Sequence, residues 1–374
     1  MVRGRGSWIT AGIAGLLIAG TATAGVASAS SAATSAAAGK HWRIIFTAPK
    51  VSPILQVTQD FTAVVATGST TGFAFDGIGA PGGETAWERT GRAGATWKKV
   101  PFPGKANEDV AYAAASSPAN VWAFGNNLFS GSRVLRWTGS KFAVVKTFSG
   151  SISAASVLGP RDVWVYGLPA GGGVPAIGVW HYNGHTWSRI GKNISGGSAL
   201  NDHDVWGFTT TSVEHWNGST WMATSVNRLL PPRDPHGLND PQVVGILALS
   251  DSNVYAIGNG NRQDEGGPVV VLHFNGHKWS KLAIGQFGFG PDFQQFSSDG
   301  SGGLWLAMQG SAGGTSVLVH YAGGKFTKAA VNQATITIQS LSRIPGTTRQ
   351  LAGGFTHAAG NRGANVVAVL LQYS

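Results

Sequence analysis

Two irregular segments of the chain concentrate side chains that could bind a ligand or exchange a proton. One is 227–241 (NRLLPPRDPHGLNDP) and the other is 258–268 (GNGNRQDEGGP). Carboxylates are ligands for Ca²⁺, and a carboxylate beside a histidine can act as an acid–base pair. The alternative is that both segments are solvated polar loops. The candidate binding residues are Arg233, Asp234, His236, Asp240, Arg262, Asp264 and Glu265.

No catalytic motif accompanies these residues. The sequence contains no HExxH pattern, phosphate-binding loop, calcium-loop spacing or evident nucleophile–base pair. We therefore assign no catalytic residue and expect neither a metal site nor a cofactor, with a structural Ca²⁺ left open as an option. The net charge is +10, but there is no run of Lys or Arg of the kind that marks a nucleic-acid-binding surface. These observations favour a protein that is not an enzyme and does not bind nucleic acid.

Four histidines recur at one position, directly before an aromatic residue. A cluster of histidines would suggest a metal centre. These four occur once per repeated unit, so we predict that they lie in separate units, cannot converge on one ion, and are structural. They are His181, His215, His273 and His320. The acidic residues that begin the preceding strands, such as Asp162 and Asp204, are predicted to form side-chain-to-backbone turns.

The elements that position all these residues belong to a repeated unit. Each unit carries an aromatic residue, a tight turn, and a second aromatic residue five positions after the first. The pairs are Trp137/Phe142, Tyr182/Trp187, Trp216/Trp221, Phe274/Trp279 and Tyr321/Phe326. Three of the turns are Asn-Gly, the strongest short signal for a β-hairpin. We interpret the aromatic residues as packing between neighbouring sheets.

Counting the units predicts an all-β, seven-bladed β-propeller with four antiparallel strands (a to d) in each blade. The last unit, 335–374, supplies only three strands before the chain ends. The missing strand is predicted at the other end of the chain, where Lys40–Ile45 (KHWRII) resembles Thr186–Ile190 (TWSRI). The N-terminal strand would then complete the last blade, and the circle of sheets would close without an open edge.

The first 39 residues are predicted to lie outside the propeller. Residues 1–29 read as a signal peptide, with Arg3 and Arg5 before a short apolar run and a small-residue cleavage site at Ala27-Ser28-Ala29. Residues 30–39 form a low-complexity linker, and 40–374 form the propeller. No segment of the sequence is long and apolar enough to span a membrane. We expect a secreted, extracellular protein that is a monomer and, having no cysteine, has no disulfide.

The segments VWHYNGHTWSRI, VEHWNGSTWMAT and VLHFNGHKWSKL resemble the kelch and galactose-oxidase-like propellers. The chain is still more similar to secreted propeller-repeat proteins of actinobacteria. It departs from kelch repeats in mostly lacking their double glycine. Since it has no cysteine, it also lacks the Cys–Tyr crosslink that galactose oxidase needs at copper.

The sequence thus leads to one expected function and one alternative. We expect a non-catalytic binding or scaffold propeller that recognises an extracellular glycan, a cell-wall polymer or a protein. The alternative is a propeller hydrolase or lyase that acts on an extracellular polysaccharide or a small metabolite. In a propeller the d–a and b–c connections emerge on the same face, so segments 227–241 and 258–268 are expected to be neighbours.

Overall fold

The computed structural model describes most of the chain from residue 40 onward. The described ranges are 40–49, 59–77, 85–91, 96–105, 108–127, 131–167, 177–191, 194–233, 240–261, 269–285, 287, 289–310, 315–331, 335–357 and 366–374. The predicted signal peptide (1–29) and linker (30–39) therefore lie outside the described residues. The described residues include no helix that is long and apolar enough to cross a membrane.

The chain forms seven four-stranded antiparallel sheets, which are the blades of a β-propeller. Blade 1 consists of β2 (Phe61–Ala66), β3 (Gly72–Asp76), β4 (Thr85–Thr90) and β5 (Thr96–Val100). Blade 2 consists of β6 (Glu108–Ser117), β7 (Asn120–Asn127), β8 (Gly131–Trp137) and β9 (Phe142–Phe148). Blade 3 consists of β10 (Ala154–Gly159), β11 (Asp162–Gly167), β12 (Gly178–Tyr182) and β13 (Trp187–Arg189). Blade 4 consists of β14 (Gly196–Asn201), β15 (Asp204–Phe208), β16 (Ser212–Trp216) and β17 (Trp221–Ser225).

The remaining blades follow the same order. A 3₁₀ turn, Asn227–Leu229, precedes blade 5. Blade 5 consists of β18 (Asp240–Ser250), β19 (Asn253–Asn261), β20 (Val270–Phe274) and β21 (Trp279–Leu282). Blade 6 consists of β22 (Phe289–Ser298), β23 (Leu304–Gly310), β24 (Ser316–Ala322) and β25 (Lys325–Ala329). Blade 7 consists of β26 (Ile336–Arg343), β27 (Gln350–His357), β28 (Val366–Tyr373) and β1 (Trp42–Thr47).

The predicted closure of the ring is confirmed. Strand β1 pairs antiparallel with β28, and Trp42 lies opposite Tyr373. Trp42 is fully buried and meets Trp305 of blade 6 edge-on, with ring centroids 5.5 Å apart. The N-terminal strand therefore joins the last blade and fills the space between that blade and blade 6.

Aromatic side chains pack between neighbouring blades, as the constant spacing predicts. Phe73 of blade 1 contacts Trp137 and Phe142 of blade 2 at centroid distances of 5.0 and 5.4 Å. Similar mixed clusters lie between other pairs of sheets, for example between blades 4 and 5 and between blades 6 and 7. Burial of such rings is the main apolar contribution that holds the blades together.

The recurring histidines are structural, but the prediction of side-chain-to-backbone turns holds only for Asp299 among the described acids beside them, since Asp162 and Asp204 bond to side chains instead. His181 Nε2 lies 2.9 Å from Asp162 Oδ1, which also accepts a hydrogen bond from Trp164 Nε1 at 3.0 Å. The His181 ring stacks on Trp164 at 4.3 Å. The same pairing of the strand-c histidine with a residue at or just before the start of strand b recurs in three more blades, as His215–Asp204, His273–Asn253 and His320–Asp299. Each histidine is thus held within its own blade, away from the other three.

Candidate functional site

A cleft of about 630 Å³ opens between blades 4 and 5, on the face that carries the d–a and b–c connections. We call this face the upper face and the opening the blade 4–5 cleft. Its walls come from the b–c connection of blade 4 and from the irregular segment that leads into blade 5. The lining residues are Thr210, Thr211, Asn227, Arg228, Leu230, Pro231, Pro232, Arg233, Asp240 and Pro241.

Two apolar anchors fix the wall of the cleft to the core. Val226 and Leu230 are buried in the apolar cluster between blades 4 and 5. One 3₁₀ turn separates them, and its Leu229 N–H donates to Val226 O at 2.8 Å. Because the anchors face inward, Asn227 and Arg228 are exposed on the opposite side of the turn. The burial of Val226 and Leu230 thus leaves the Asn227 amide and the Arg228 guanidinium facing solvent.

Glycine and proline complete this anchorage. A Cβ on Gly258 would lie 2.4 Å from Leu230 Cδ2, so only glycine leaves room for the anchor. After Leu230, whose ψ of 164° is extended, the chain continues through Pro231 and Pro232. Proline fixes the backbone angle φ, so this wall is stiff before any ligand arrives.

The opposite wall is low because the b–c connection of blade 4 is short. Only 209–211 separates β15 from β16. Thr211 O accepts a hydrogen bond from Val226 N at 3.0 Å, and Thr210 O accepts one from Val243 N at 2.8 Å. The short connection is therefore fixed to the segments on both sides, and the space that a longer loop would occupy is the cleft.

The charged groups of the cleft are two arginines and one aspartate. Arg233 Nε lies 3.0 Å from Asp240 Oδ1, and both side chains are about two-thirds exposed. Arg228 forms no ion pair within the described part of the chain. The cleft therefore presents one neutralised arginine and one arginine whose charge is open to a ligand.

The structure brings together two of the predicted binding residues, Arg233 and Asp240. The other five lie outside the described residues, so their placement stays a prediction. They are Asp234, His236, Arg262, Asp264 and Glu265. The structure adds Arg228, Asn227 and the two threonines, which sequence reasoning did not select. The signal available in the sequence was the unusually short spacing of ten residues between Trp206 and Trp216.

A second polar group on the upper face is a cluster of carboxylates between blades 1 and 2, which we call the acidic cluster. It consists of Asp60, Asp76 and Asp109. Asp76 is fully engaged: Oδ1 accepts from Thr85 N at 3.0 Å, and Oδ2 accepts from Gln59 Nε2 and Trp87 Nε1 at 3.2 Å. Asp76 is therefore a structural acceptor that ties strand b to strand c.

Asp60 and Asp109 face a common point above Gly77. A Cβ on Gly77 would lie 2.8 Å from Asp60 Oδ1 and 3.4 Å from Asp109 Oδ1. Burial raises the pKa of Asp60 to about 6, and the negative charges of Asp109 and Asp76 add to this effect. A carboxyl with this pKa can donate or accept a proton close to neutral pH.

The central channel holds a cavity of about 370 Å³, and the hydroxyl groups of three serines that line it form hydrogen bonds: Ser153, Ser156 and Ser198. Ser156 Oγ accepts from Ala199 N at 3.0 Å, and Ser198 Oγ accepts from Ala248 N at 3.1 Å. Each innermost strand has one edge without a strand partner, and these serines satisfy N–H groups on the edge of the next blade. The channel serines thus link neighbouring blades.

Comparisons with known proteins support the fold. No protein-family model and no curated protein matches the sequence. YCF48 from Cyanidioschyzon merolae is similar in structure, with a TM-score of 0.55 and 13% identity over 89% of this chain and 98% of that one. A fungal alcohol oxidase of the AA5 family, in complex with copper, has a TM-score of 0.52 and 11% identity over 88% of this chain and 76% of that one. At such identities the likeness shows the propeller fold alone.

The residues described here do not fit a copper centre like that of a copper-bound propeller. The chain has no cysteine, and the described residues contain no group of three or more His, Asp or Glu side chains that could hold a metal ion. The histidines of strand c are each engaged with their own blade. We therefore derive no chemical step through a metal.

Proposed function

We propose that this chain is a secreted, non-catalytic binding propeller that recognises an anionic extracellular glycan or cell-wall polymer in the blade 4–5 cleft. The observation that carries the proposal is the preformed cleft, in which Arg228 has no ion-pair partner in the described part of the chain and stands on a turn anchored by Val226 and Leu230. A wall that is stiff before binding loses little conformational entropy when a ligand is ordered against it.

The chemistry of the lining fits a sugar polymer with acidic groups. Asn227, Thr210 and Asp240 offer hydrogen-bond donors and acceptors for hydroxyl groups, and proline rings offer apolar surface. Arg228 offers a planar donor fork that matches a carboxylate or a phosphodiester. The net charge of +10 would raise the rate of encounter with a polyanion. A protein ligand is the competing possibility, which the experiment below distinguishes.

The proposal includes secretion and a monomeric state. Secretion is supported by the pattern of residues 1–29, in which a charged start precedes a short apolar run and a small-residue cleavage motif. A monomer is supported by the pairing of β1 with β28, since the ring closes with strands of one chain.

The experiment is a retention assay on insoluble or immobilised polymers. We expect retention on a uronic-acid polymer or a phosphodiester-linked cell-wall polymer, and none on neutral dextran. The Arg228→Ala variant should be retained less, whereas Arg189→Ala, an exposed arginine on β13, should behave as the native chain does. Equal retention of the native and Arg228→Ala proteins, or binding only to a protein fraction, would contradict the proposal.

A second candidate function, a hydrolase or lyase, is favoured by the raised pKa of Asp60 beside Asp109. Asp60 would act as a general acid that protonates the leaving oxygen of a glycosidic bond. The test is the release of reducing ends from the retained polymer at pH 5 to 7, with Asp60→Asn compared with the native chain. Failure of the native chain to release reducing ends from any polymer that it binds would rule out this candidate.

A further inference from the structure

Two arginines lie at the junction of blades 7 and 1, on the face opposite the blade 4–5 cleft, near enough for the positive charge of Arg349 to lower the pKa of Arg89. Arg89 lies near the end of β4, and Arg349 lies in the a–b connection of blade 7, directly before β27. Arg89 Nη1 donates to Gln372 Oε1 on β28 at 3.4 Å, so the side chain reaches across from blade 1 to blade 7. We call this place the blade 7–1 junction.

The local structure fixes the side chain of Arg89 and the backbone of Arg349 at the junction. The Arg89 guanidinium lies over the Trp97 ring, 6.0 Å from its centroid. The backbone of Arg349 is held on both sides, since its N–H donates to Thr347 Oγ1 at 3.0 Å and its carbonyl accepts from Ile344 N at 2.9 Å. Arg349 precedes Leu351 by two residues, and Leu351 is buried in the cluster shared with blade 1. Arg349 Nε is buried and the positive charge of Arg349 acts on Arg89, so the Arg349 side chain lies toward blade 1.

Three buried donors at this junction have no acceptor in the described part of the chain. They are the Nε–H groups of Arg89 and Arg349 and the indole N–H of Trp97. Gln350 Oε1 is also buried without a partner, but Gln350 turns the other way, because its Nε2 donates to Ser298 O of blade 6. The unsatisfied groups on the blade 1 side are thus all donors, and buried donors normally have a partner.

The charges of the two arginines are not balanced by a nearby carboxylate. Neither Arg89 nor Arg349 forms an ion pair with any described residue. Burial lowers the pKa of Arg89, and the positive charge of Arg349 lowers it further. Two like charges held together without an anion cost free energy, which a bound anion would recover.

Blade 2 contains a buried arginine whose charge is balanced by a carboxylate of the same blade. Arg133 and Glu108 are both buried, and Arg133 Nε donates to Glu108 Oε1 at 2.6 Å. Arg133 Nη2 donates to the other carboxylate oxygen and to Pro103 O. The carboxylate that balances Arg133 in blade 2 has no counterpart among the described residues at the blade 7–1 junction.

We propose that the blade 7–1 junction is an oxyanion-binding site, in which Arg89 and Arg349 hold a sulfate or phosphate group between their guanidinium groups. The planar fork of an arginine matches two oxygens of such a group, and charge-assisted hydrogen bonds are the stronger kind. The group is either a free inorganic anion or a substituent on a polymer. The site uses none of the residues of the blade 4–5 cleft, so it stands independently of the proposed function.

The test measures the binding of inorganic sulfate and inorganic phosphate by calorimetry, at constant ionic strength set with NaCl. We expect Arg89→Gln and Arg349→Gln each to weaken binding by about tenfold, the effect of losing charge-assisted hydrogen bonds. Arg136→Gln is the matched control, because Arg136 also lies over a tryptophan, Trp122, at 5.1 Å. Arg189→Gln, at an exposed arginine on β13, should leave sulfate binding unchanged.

Stability gives a second readout that does not depend on the ligand. Without sulfate or phosphate, Arg349→Gln should unfold at a higher temperature than the native chain, because the repulsion of Arg89 is removed. Titration of the Arg228→Gln variant, which lacks the exposed arginine of the cleft, with dextran sulfate and with neutral dextran as control then identifies the source. Tighter binding per sulfate group than that of inorganic sulfate indicates a polymer substituent, and equal binding indicates the free anion. Unchanged sulfate and phosphate affinity in both arginine variants would overturn the proposal, as would an equal loss in Arg136→Gln.

Discussion

His181 Nε2 and Asp162 Oδ1 are 2.9 Å apart, and this short contact ties strand c of blade 3 to the start of strand b. The same oxygen accepts the Trp164 indole N–H, and the His181 ring stacks on that indole. One carboxylate thus holds both rings of the stack in place. Since blade 5 uses Asn253 for the same contact to His273, the position requires an acceptor and does not require a charge.

We expect Asp162→Ala to destabilise the fold by about 1–3 kcal/mol, because two partly buried donors lose their acceptor. Asp162→Asn keeps one carbonyl oxygen, as Asn253 does, and should cost clearly less. Urea denaturation of both variants measures the difference. An equal loss in the two variants would show that the negative charge matters, contrary to this interpretation.

Asp60 should make the stability of the protein depend on pH. Its pKa is about 6 in the folded state, against an ordinary value of 3.8, so the folded state holds this proton more tightly than the unfolded chain does. The stabilisation is therefore fully present at pH values below about 4 and is lost as the pH rises through about 6. The Asp60→Asn variant cannot lose this stabilisation as the pH rises. Its free energy of unfolding, relative to that of the native chain, should therefore increase between pH 4 and pH 7 by on the order of 2 kcal/mol.

Denaturation of the native chain and Asp60→Asn in parallel across this pH range isolates the contribution of Asp60. Asp109→Asn provides the matched variant, because it removes a negative charge that raises the Asp60 pKa and should shift the transition to lower pH. A constant difference between native and Asp60→Asn proteins at all pH values would show that Asp60 does not titrate in this range.

Closure of the ring by β1 should contribute strongly to stability. Deletion of residues 40–46 removes the fourth strand of blade 7 and exposes β28, so we expect a large fall in the melting temperature. Trp42→Ala should destabilise by about 3–5 kcal/mol, the usual cost of emptying a buried aromatic site. Trp42→Phe, which keeps a ring against Trp305, should cost less. A deletion variant that melts at the native temperature would contradict the closure by β1.

Much of the frame could be predicted from the sequence, because it depends on local and repeated signals. The constant spacing of pairs such as Tyr182/Trp187 predicts a β-hairpin, which the structure contains. The segment around Trp42 belongs to no complete unit of the sequence, and it supplies the strand that the last unit lacks. The blade count and the closure follow from these signals and are confirmed. The interpretation of Asp162 as a turn former was wrong, since its carboxylate bonds to Trp164 on its own strand and to His181 on the neighbouring strand.

The site was harder to predict, because the cleft exists where the b–c connection of blade 4 is short. Its position does not follow only from the types of residue in the loops. Arg233 and Asp240 were selected for their charge and do lie together at 3.0 Å. Arg228 was not selected, since its exposure follows from the burial of Val226 and Leu230 on the other side of one turn. The pairing of Arg89 with Arg349 joins residues that are 260 positions apart in the sequence, so no local pattern could reveal it.

The most direct test of the proposed function is the affinity of an anionic polysaccharide for the native chain and for Arg228→Gln, measured by calorimetry at two salt concentrations. We predict about tenfold weaker binding for Arg228→Gln, a smaller dependence on salt, and an unchanged melting temperature, since Arg228 is exposed. Arg228→Lys should recover part of the affinity because it restores the charge. Identical affinities of the native and Arg228→Gln proteins at both salt concentrations would contradict a ligand site in the blade 4–5 cleft.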